Sequence, residues 1–391
     1  MTNSNHRHVE TAGPGIETVL FGKIGTDAEA QIRVSETNRS LEEAGRRFWG
    51  DGPAGRMVAV RLLEQFGATA AALEAWGWSA ERIQADLGPS RQVFATSSFM
   101  RRCQQWPRGY AGDFETIEYL AGAINNSVPG TLGWHLEETL LQSPVVRQHR
   151  NKLNHQSREI AHAVMTSSSA RVLSMACGGC LDWVPVLPYL KDFAGEIVLN
   201  DSDPAALELA EQRLRPATIR YRLAPGNVLR VAKRLARGPR FDLVIAGGLF
   251  DYLTDQAIVF LLRTVFQDLL APGGVLLFTN IAKGNPWRAL MEHGSNWTLI
   301  ERTEGQIREL CREAGMARFS ISVKRESTGL TLLTRAVQPS SRLPHPPSND
   351  CAINARMLTY GAGNDWLSSL DHLRLRGSSG LRDQSEKAVT P

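Results

Sequence analysis

The sequence predicts an α/β protein in which a helical N-terminal domain precedes a largely parallel β-sheet. Two patterns of apolar residues support this prediction. Residues 16 to about 150 place them at helical spacing between Gly and Pro breaks, whereas from Ala170 short apolar runs alternate with amphipathic segments. The expected divisions are a flexible leader at 1–15, a helical lid or substrate domain at 16–150, a sheet domain at 151–337, and a Pro/Ser-rich linker and C-terminal tail at 338–391.

The helical domain is expected to contain several helices. Ser40 and Glu43 fit a capping box, in which a hydroxyl and a carboxylate bond backbone N–H groups at a helix start. Apolar residues from Met57 to Phe66 then recur at helical spacing. Further helices are expected at 70–76, 80–87, 113–123 and 132–141, with Gly and Pro between them.

The sheet domain is expected to contain seven strands. Short apolar runs predict them at 171–175, 196–200, 218–223, 242–246, 274–280, 319–323 and 330–333. Helices fit between them at 204–214, where Pro204 suits the first turn, and at 255–270. Thr303 and Gln306 form a second capping box, which predicts a helix to about Ala314. The last two strands suit an antiparallel hairpin at the sheet edge.

Composition excludes several classes of protein. Hydrophobic residues make up 42% of the 391 residues, too large a share for a disordered chain. The longest apolar stretch, 257–278, is interrupted by Arg263, Asp268 and Pro272, so no membrane span is expected. Because the N-terminus lacks a basic segment followed by an apolar one, a cytoplasmic location is expected.

Charge and cysteine content limit the expected partners. The formal charge is +4, from 44 Lys and Arg against 40 Asp and Glu, and the arginines are scattered, so no nucleic-acid partner is expected. The five cysteines are expected to be reduced thiols. Cys177 and Cys180 form a CxxC pair, but no second pair lies near it in the sequence to complete a zinc site, so no metal is expected.

Two motifs near the first strands predict a ligand site. The first strand ends in Ala176-Cys177-Gly178-Gly179, where small side chains let backbone N–H groups approach a bound molecule. Asp201 ends the second strand, roughly 20 residues later, where a carboxylate accepts hydrogen bonds from both hydroxyls of a ribose. Its neighbour Asp203 is expected instead to cap the following helix.

The strand and turn motifs together resemble class I S-adenosylmethionine (SAM)-dependent methyltransferases. Residues 172–180, 200–204, 226–228, 241–247 and 270–278 carry the resemblance, which covers about 170–337. It implies a Rossmann-like, seven-stranded sheet in the order 3-2-1-4-5-7-6, the last strand antiparallel, with SAM as cofactor at the carboxyl ends of the strands. The residues expected to bind SAM are Ala176, Gly178, Asp201, Asn227, Val228 and Gly247. For Asn227 and Val228 the alternative is a plain turn.

Two further strings narrow the resemblance. WPRGYAGD at 106–113 and GGLFDYL at 247–253 are similar to a subfamily that includes synthases of 3-hydroxy fatty acid methyl esters. This implies a small-molecule methyltransferase in a secondary-metabolite or signalling pathway. Some proteins of this kind are similar to azetidine-2-carboxylate synthases, which cyclise SAM itself and release methylthioadenosine. Both alternatives stay open from the residues.

Four residues in these strings are the expected catalytic group. Arg108, Tyr110 and Asp113 supply a cation, a phenol and a carboxylate from one short lid segment, residues 106–113. Tyr252 follows the fourth strand, where residues facing an acceptor are expected. The structural alternatives are that Asp113 caps the next helix and that Tyr252 fills the core.

The expected chemistry depends on the acceptor. A carboxylate is already ionised at neutral pH and needs only a cation such as Arg108 to orient it. An amine or a hydroxyl needs a base, for which the candidates are Tyr110, Asp113, Asp251 and His135. SAM cyclisation needs no second substrate, and its sulfonium could be surrounded by the rings of Trp106, Tyr110, Trp134 and Tyr252. A SAM-binding protein without catalysis is the remaining alternative.

Overall fold

The computed structural model describes residues 26–48 and 52–340. The predicted leader at 1–15 and the tail from 341 onward lie outside these residues. The helices are α1 (Asp27–Arg47), α2 (Pro53–Ala75), α3 (Ala80–Asp86), α4 (Gly88–Phe94), α5 (Ser98–Gln105), α6 (Phe114–Gly122), α7 (Leu132–Leu141), α8 (Pro144–Thr166), α9 (Pro204–Leu214), α10 (Val228–Leu235), α11 (Asp255–Thr264) and α12 (Glu304–Glu313). Within the described ranges, no helix combines the length and apolarity needed to cross a bilayer.

The sheet has seven strands in the order β3-β2-β1-β4-β5-β7-β6. The strands are β1 (Arg171–Met175), β2 (Glu196–Asn200), β3 (Tyr221–Leu223), β4 (Phe241–Ala246), β5 (Leu270–Ile281), β6 (Ser320–Arg325) and β7 (Thr331–Val337). Neighbours from β3 to β5 pair in parallel, and β7 is antiparallel to both β5 and β6. The predicted α/β fold, strand order and terminal hairpin are therefore confirmed.

The bounds of β3 to β7 differ from the predicted ones, and β3 and β5 show why. β3 begins at Tyr221 rather than 218, because the chain first makes a 3-10 turn, Arg215–Ala217, and Thr218 has a positive φ of 53°. β5 continues to Ile281, because β7 pairs with it as far as that residue. In each case the partner strand or the preceding turn sets the end, and neither is visible in the apolar run itself.

The helix starts show which capping predictions hold. Thr303 and Gln306 form the predicted capping box at the start of α12. Ser40 is not a cap, because it lies inside α1, where its hydroxyl accepts a hydrogen bond from Gln65. The capping box of α1 is formed by Thr26 and Glu29. The predicted 70–76 helix is the end of the longer helix α2, and the predicted 255–270 helix gives way to a π-helical turn, Val265–Leu269, after α11.

Three buried clusters hold the described chain together. One lies between the sheet and α10, α11 and α12, and another lies on the opposite face against α8, α9 and the 3-10 segment Leu181–Tyr189. The third lies among α1 to α8 and also contains Ile281, the last residue of β5, together with Leu290 and Trp297 from the segment that follows it. The N-terminal helices thus share a core with the sheet half. α8 is continuous through residue 150, and the division proposed there stays a prediction.

Candidate active site

A cavity of about 740 Å³ lies at the carboxyl ends of β1, β2 and β4. The lid segment and the loop at 296–299 contribute to its walls, together with one face of α8. Six of the ten predicted site residues line it, namely Tyr110, Ala176, Gly178, Asp201, Gly247 and Tyr252. The other four, Arg108, Asp113, Asn227 and Val228, do not. Open α/β sheets bind ligands at this edge, so the cavity is the candidate active site.

The turn after β1 exposes backbone to the cavity. Ala176 and Gly178 have positive φ angles of 49° and 53°, and Gly178 N–H donates to Asp201 Oδ2 at 2.8 Å. A Cβ on Gly179 would lie 2.6 Å from Arg213 Nη1 and 2.7 Å from Glu118 Oε1, which form an ion pair there. Gly178 therefore suits the left-handed backbone of this turn, Gly179 lets the Arg213–Glu118 pair pack close to it, and the CxxC pair forms part of the turn.

Asp201 stands at the end of β2 on the cavity wall. Its Oδ2 accepts from Gly178 N–H, and its Oδ1 accepts from Asp203 N–H at 2.9 Å. Burial raises the pKa of Asp201 above its ordinary value, against the opposing effect of these backbone donors. Each carboxylate oxygen has a second lone pair, so the side chain retains acceptor capacity toward a ligand hydroxyl.

Two predicted catalytic residues of the lid segment bond to Asp203. Arg108 donates from Nε to Asp203 Oδ2 at 2.6 Å and from Nη2 to Oδ1 at 2.5 Å, and Tyr110 donates to Oδ2 at 3.2 Å. Asp203 also caps α9 through Ala205 N–H, as predicted. Arg108 thus faces Asp203 and Glu115 rather than the cavity, which corrects the expectation that it presents a free cation to an acceptor. The pair fastens the lid segment beside Asp201.

Three further predicted residues have structural roles. Asp113 caps α6 by accepting from Thr116 N–H at 2.9 Å, and it pairs with Arg102 at 2.7 Å. Asn227 caps α10 through Leu229 N–H, and Val228 is buried in the core beneath that helix. The capping alternative therefore describes Asp113. Asn227 and Val228 do not line the cavity, and their binding of SAM stays a prediction.

The aromatic wall consists of Tyr252, Trp297 and Trp106. Trp297 Nε1 donates to the Tyr252 hydroxyl at 2.9 Å. Gly112 of the lid segment packs against both rings, since a Cβ there would lie 2.1 Å from the Tyr252 oxygen. Two residues named from the sequence lie elsewhere. Trp134 and His135 pack against each other with ring centroids 4.9 Å apart, outside the cavity lining.

A polar face of α8, not predicted from the sequence, also lines the cavity. His149, Lys152 and Gln156 are all buried and line the cavity. Burial lowers the pKa of Lys152, against the effect of Asp251, whose Oδ2 lies 3.8 Å from Lys152 Nζ. Burial also lowers the pKa of His149 well below its ordinary value, so this imidazole is neutral at pH 7. The i, i+3, i+7 spacing on one helical face was the available signal.

Two buried acids complete the polar part of the cavity. Burial raises the pKa of Asp182 to about 7. Burial likewise raises the pKa of Asp251, while Lys152 and a hydrogen bond from Ile281 N–H act against it. Asp251 was one of the predicted base candidates, whereas Asp182 was not identified from the sequence. Both acids line the cavity.

A second cluster of ligand-type side chains reaches the cavity only through Glu292 among its three members. Glu74, Glu292 and His293 place oxygen and nitrogen atoms within 4.8 Å of one another. Arg288 pairs with both carboxylates, and its guanidinium supplies the positive charge at this point. The cluster is an ion-pair network between α2 and the segment after β5.

Comparisons with known proteins identify a family for this chain. A model of the family described as putative methyltransferase matches residues 116–329. The uncharacterized protein YnbC of Escherichia coli K12 is 25% identical over 162 residues, which cover 38% of this chain and 26% of that protein. The match thus spans about a quarter of that relative's length.

Solved structures are similar to this chain at low identity. A possible exported protein from Bordetella parapertussis is 19% identical, with a TM-score of 0.48 over 80% of this chain and 97% of that one. The magnesium protoporphyrin IX methyltransferase of Synechocystis, solved with bound SAH, is 15% identical, with a TM-score of 0.37 over 50% of this chain and 87% of that one.

Proposed function

We infer that this chain, which belongs to the family described as putative methyltransferase, transfers a methyl group from SAM to a small-molecule acceptor. The proposal is supported by two features that lie together on one wall of the cavity. The glycine turn after β1 presents backbone N–H groups, and Asp201 presents a carboxylate that is hydrogen-bonded to that turn. This is the combination that a charged nucleoside ligand requires.

The residues present fit SAM. Ala176, Gly178 and Gly179 leave room for its methionine part, because they add almost no side-chain volume to the wall. Asp201 would accept hydrogen bonds from the ribose hydroxyls. When bound, SAM supplies an electrophilic methyl group, whose carbon bonds the acceptor atom while the carbon–sulfur electron pair passes to sulfur and S-adenosylhomocysteine leaves.

The chain's contribution would be alignment and exclusion of water. The Arg108–Asp203 pair holds the lid segment beside Asp201, and Gly112 packs that segment against Tyr252 and Trp297. A displacement at carbon requires donor and acceptor to be held in line, which a closed and ordered cavity provides. We propose a small carboxylic acid as the acceptor, since an ionised carboxylate needs no catalytic base.

Calorimetric titration with SAM tests the binding half of this proposal. Asp201→Ala removes two charge-assisted acceptor positions, each worth about 1.5–3 kcal/mol, so affinity for SAM should fall at least a hundredfold. Asp192→Ala, an exposed carboxylate on the same half of the chain, is the matched control and should bind as the wild type does. Unchanged SAM affinity in Asp201→Ala would remove Asp201 from the site.

Product analysis tests the chemical half. The wild-type chain with SAM and a panel of carboxylic acids should form S-adenosylhomocysteine and a methyl ester, detected by mass spectrometry. A parallel incubation with SAM alone should leave SAM unchanged. Methylthioadenosine with a new cyclic amino acid in that second incubation would support SAM cyclisation instead, and the proposed methyl transfer would be wrong.

A further inference from the structure

The α8 wall of the cavity carries polar side chains that the SAM site does not use. His149, Lys152 and Gln156 lie on one face of α8, and their exposed fractions are 5%, 7% and 5%. Gly247 and Gly248, which follow β4, also line the cavity and pack directly against this face. Polar groups so thoroughly buried normally have hydrogen-bond partners.

Lys152 has a charge partner but lacks a hydrogen-bond acceptor. Its Nζ lies 3.8 Å from Asp251 Oδ2, which is too long for a hydrogen bond. Asp251 is itself fixed, because its Oδ1 accepts from Ile281 N–H at 2.5 Å. Within residues 26–48 and 52–340, this ammonium donates no hydrogen bond, and the carboxylates that act on its charge are those of Asp251 and Glu326. Lys152 Nζ is a buried cation whose N–H donors have no acceptor in the described part of the chain. A ligand oxygen in the cavity would therefore accept these hydrogen bonds.

His149 adds a neutral polar group beside Lys152. Its ring stacks on Trp297 with centroids 5.6 Å apart and planes 30° apart. Its Nδ1 is buried with no hydrogen-bond partner among the residues that the structure describes. The imidazole of His149 thus lies between the aromatic wall and Lys152. At this place the apolar part of a bound ligand would end and its polar part would begin.

The two glycines after β4 make room for this wall. A Cβ on Gly247 would lie 2.1 Å from Gln156 Nε2, and one on Gly248 would lie 3.3 Å from Lys152 Nζ. Gly248 also has a positive φ of 82°, which disfavours any side chain. Larger residues at either position would push the amide and the ammonium away from the cavity.

We propose that Lys152, with His149 and Gln156 beside it, binds the carboxylate of the acceptor, while Tyr252 and Trp297 contact its apolar body. The assignment rests on the proposed methyl transfer and names the groups that select its acceptor. An ammonium attracts a carboxylate and repels a cationic amine, so this wall selects acids over amines of the same shape. Arg108, the cation expected from the sequence, is replaced in this role by a residue of α8.

Binding to the full chain, saturated with S-adenosylhomocysteine, tests the assignment without turnover. The probes are octanoate, octanamide and octylamine, which share an apolar chain and differ in the head group. Octanoate should bind the wild type most tightly. Lys152→Met, which retains the length of the side chain, should weaken octanoate at least tenfold and leave octanamide within twofold, and Lys152→Arg should restore part of the loss.

The controls separate this assignment from the proposed function. Lys233→Met removes an exposed lysine of α10 and should change no affinity. S-adenosylhomocysteine should bind Lys152→Met as it binds the wild type, which also shows that the variant is folded. Equal octanoate affinity in the wild type and Lys152→Met overturns the assignment. The assignment is also overturned if the wild type binds octanamide or octylamine as tightly as it binds octanoate, or if it binds none of the three. Failure of S-adenosylhomocysteine to bind the wild type would instead contradict the proposed function.

Discussion

The Arg108–Asp203 pair should control how often the lid segment opens. Its two hydrogen bonds, at 2.6 and 2.5 Å, join residues 95 positions apart. The Asp203 side chain is 8% exposed and that of Arg108 is 25% exposed. Arg108→Met retains an unbranched side chain and removes the guanidinium, so it should release residues 106–112 from the turn between β2 and α9.

The magnitude follows from geometry and exposure. A fully exposed ion pair contributes about 0–1 kcal/mol, whereas a hydrogen bond to a charged group contributes about 1.5–3 kcal/mol. This pair is bidentate and partly shielded from water, so a value of about 2 kcal/mol is expected after allowance for solvent screening. Such a loss corresponds to a roughly thirtyfold increase in opening of the lid segment.

Hydrogen exchange measured by mass spectrometry reports this opening directly. Peptides covering 106–112 should exchange roughly thirtyfold faster in Arg108→Met, while peptides covering β1 should not change. Asp203→Asn and the double variant complete a cycle that separates the pair from the capping role of Asp203 in α9. Exchange within twofold of the wild type in Arg108→Met, or strictly additive effects in the cycle, would refute the reasoning.

The pair also has a defined pH range. The hydrogen bonds from Arg108 hold the pKa of Asp203 below its ordinary value of 3.8. A carboxyl group with a lowered folded-state pKa contributes stability above its unfolded pKa and loses it as pH falls through the folded one. Lid exchange should therefore be insensitive to this group near neutral pH and should accelerate only in acid.

Two further predictions concern the cavity wall. Burial raises the pKa of Asp182 from 3.8 to about 7. The contribution of this carboxyl group to the free energy of unfolding is therefore fully present below its pKa in the unfolded chain, and it is lost as pH rises through 7. Asp182→Asn should flatten this dependence and raise the free energy of unfolding above pH 7, by at most about 4 kcal/mol, in urea titrations at several pH values; parallel curves for the two proteins would contradict it. Gly112→Ala should destabilise by about 1–3 kcal/mol in thermal unfolding, since its Cβ would lie 2.1 Å from the Tyr252 oxygen. Gly109→Ala, whose φ is also positive but whose Cβ would meet nothing within 4 Å, is the matched control, and equal losses would show that packing against Tyr252 is unimportant.

Much of the fold was predictable because it depends on neighbours in sequence. The residues of β1 and β2 coincide with the predicted strands, since each is a short apolar run bounded by small or polar residues. The caps at Thr303 and Asp203 also followed from adjacent residues. Ser40 shows the limit, because the same local pattern occurs inside α1, where packing against α2 extends the helix.

Some residues of the candidate site could likewise be predicted from the sequence, and others could not. Ala176, Gly178 and Asp201 were identifiable, because strand ends of a parallel sheet meet at one edge and carry their residues there. Asp113 and Asn227 were ambiguous, because a side chain suited to a ligand is equally suited to capping the helix that follows it.

The sequence by itself determined the strands, several caps and the glycine turn, since these depend on backbone preference and on residues within one turn. The tertiary structure decided which charged groups meet. Arg108 reaches Asp203 across 95 positions, and Lys152 faces Asp251 from another element. Whether a cation binds a ligand or a carboxylate of its own chain depends on distances of a few ångströms, and those are set by the packing of helices over the sheet.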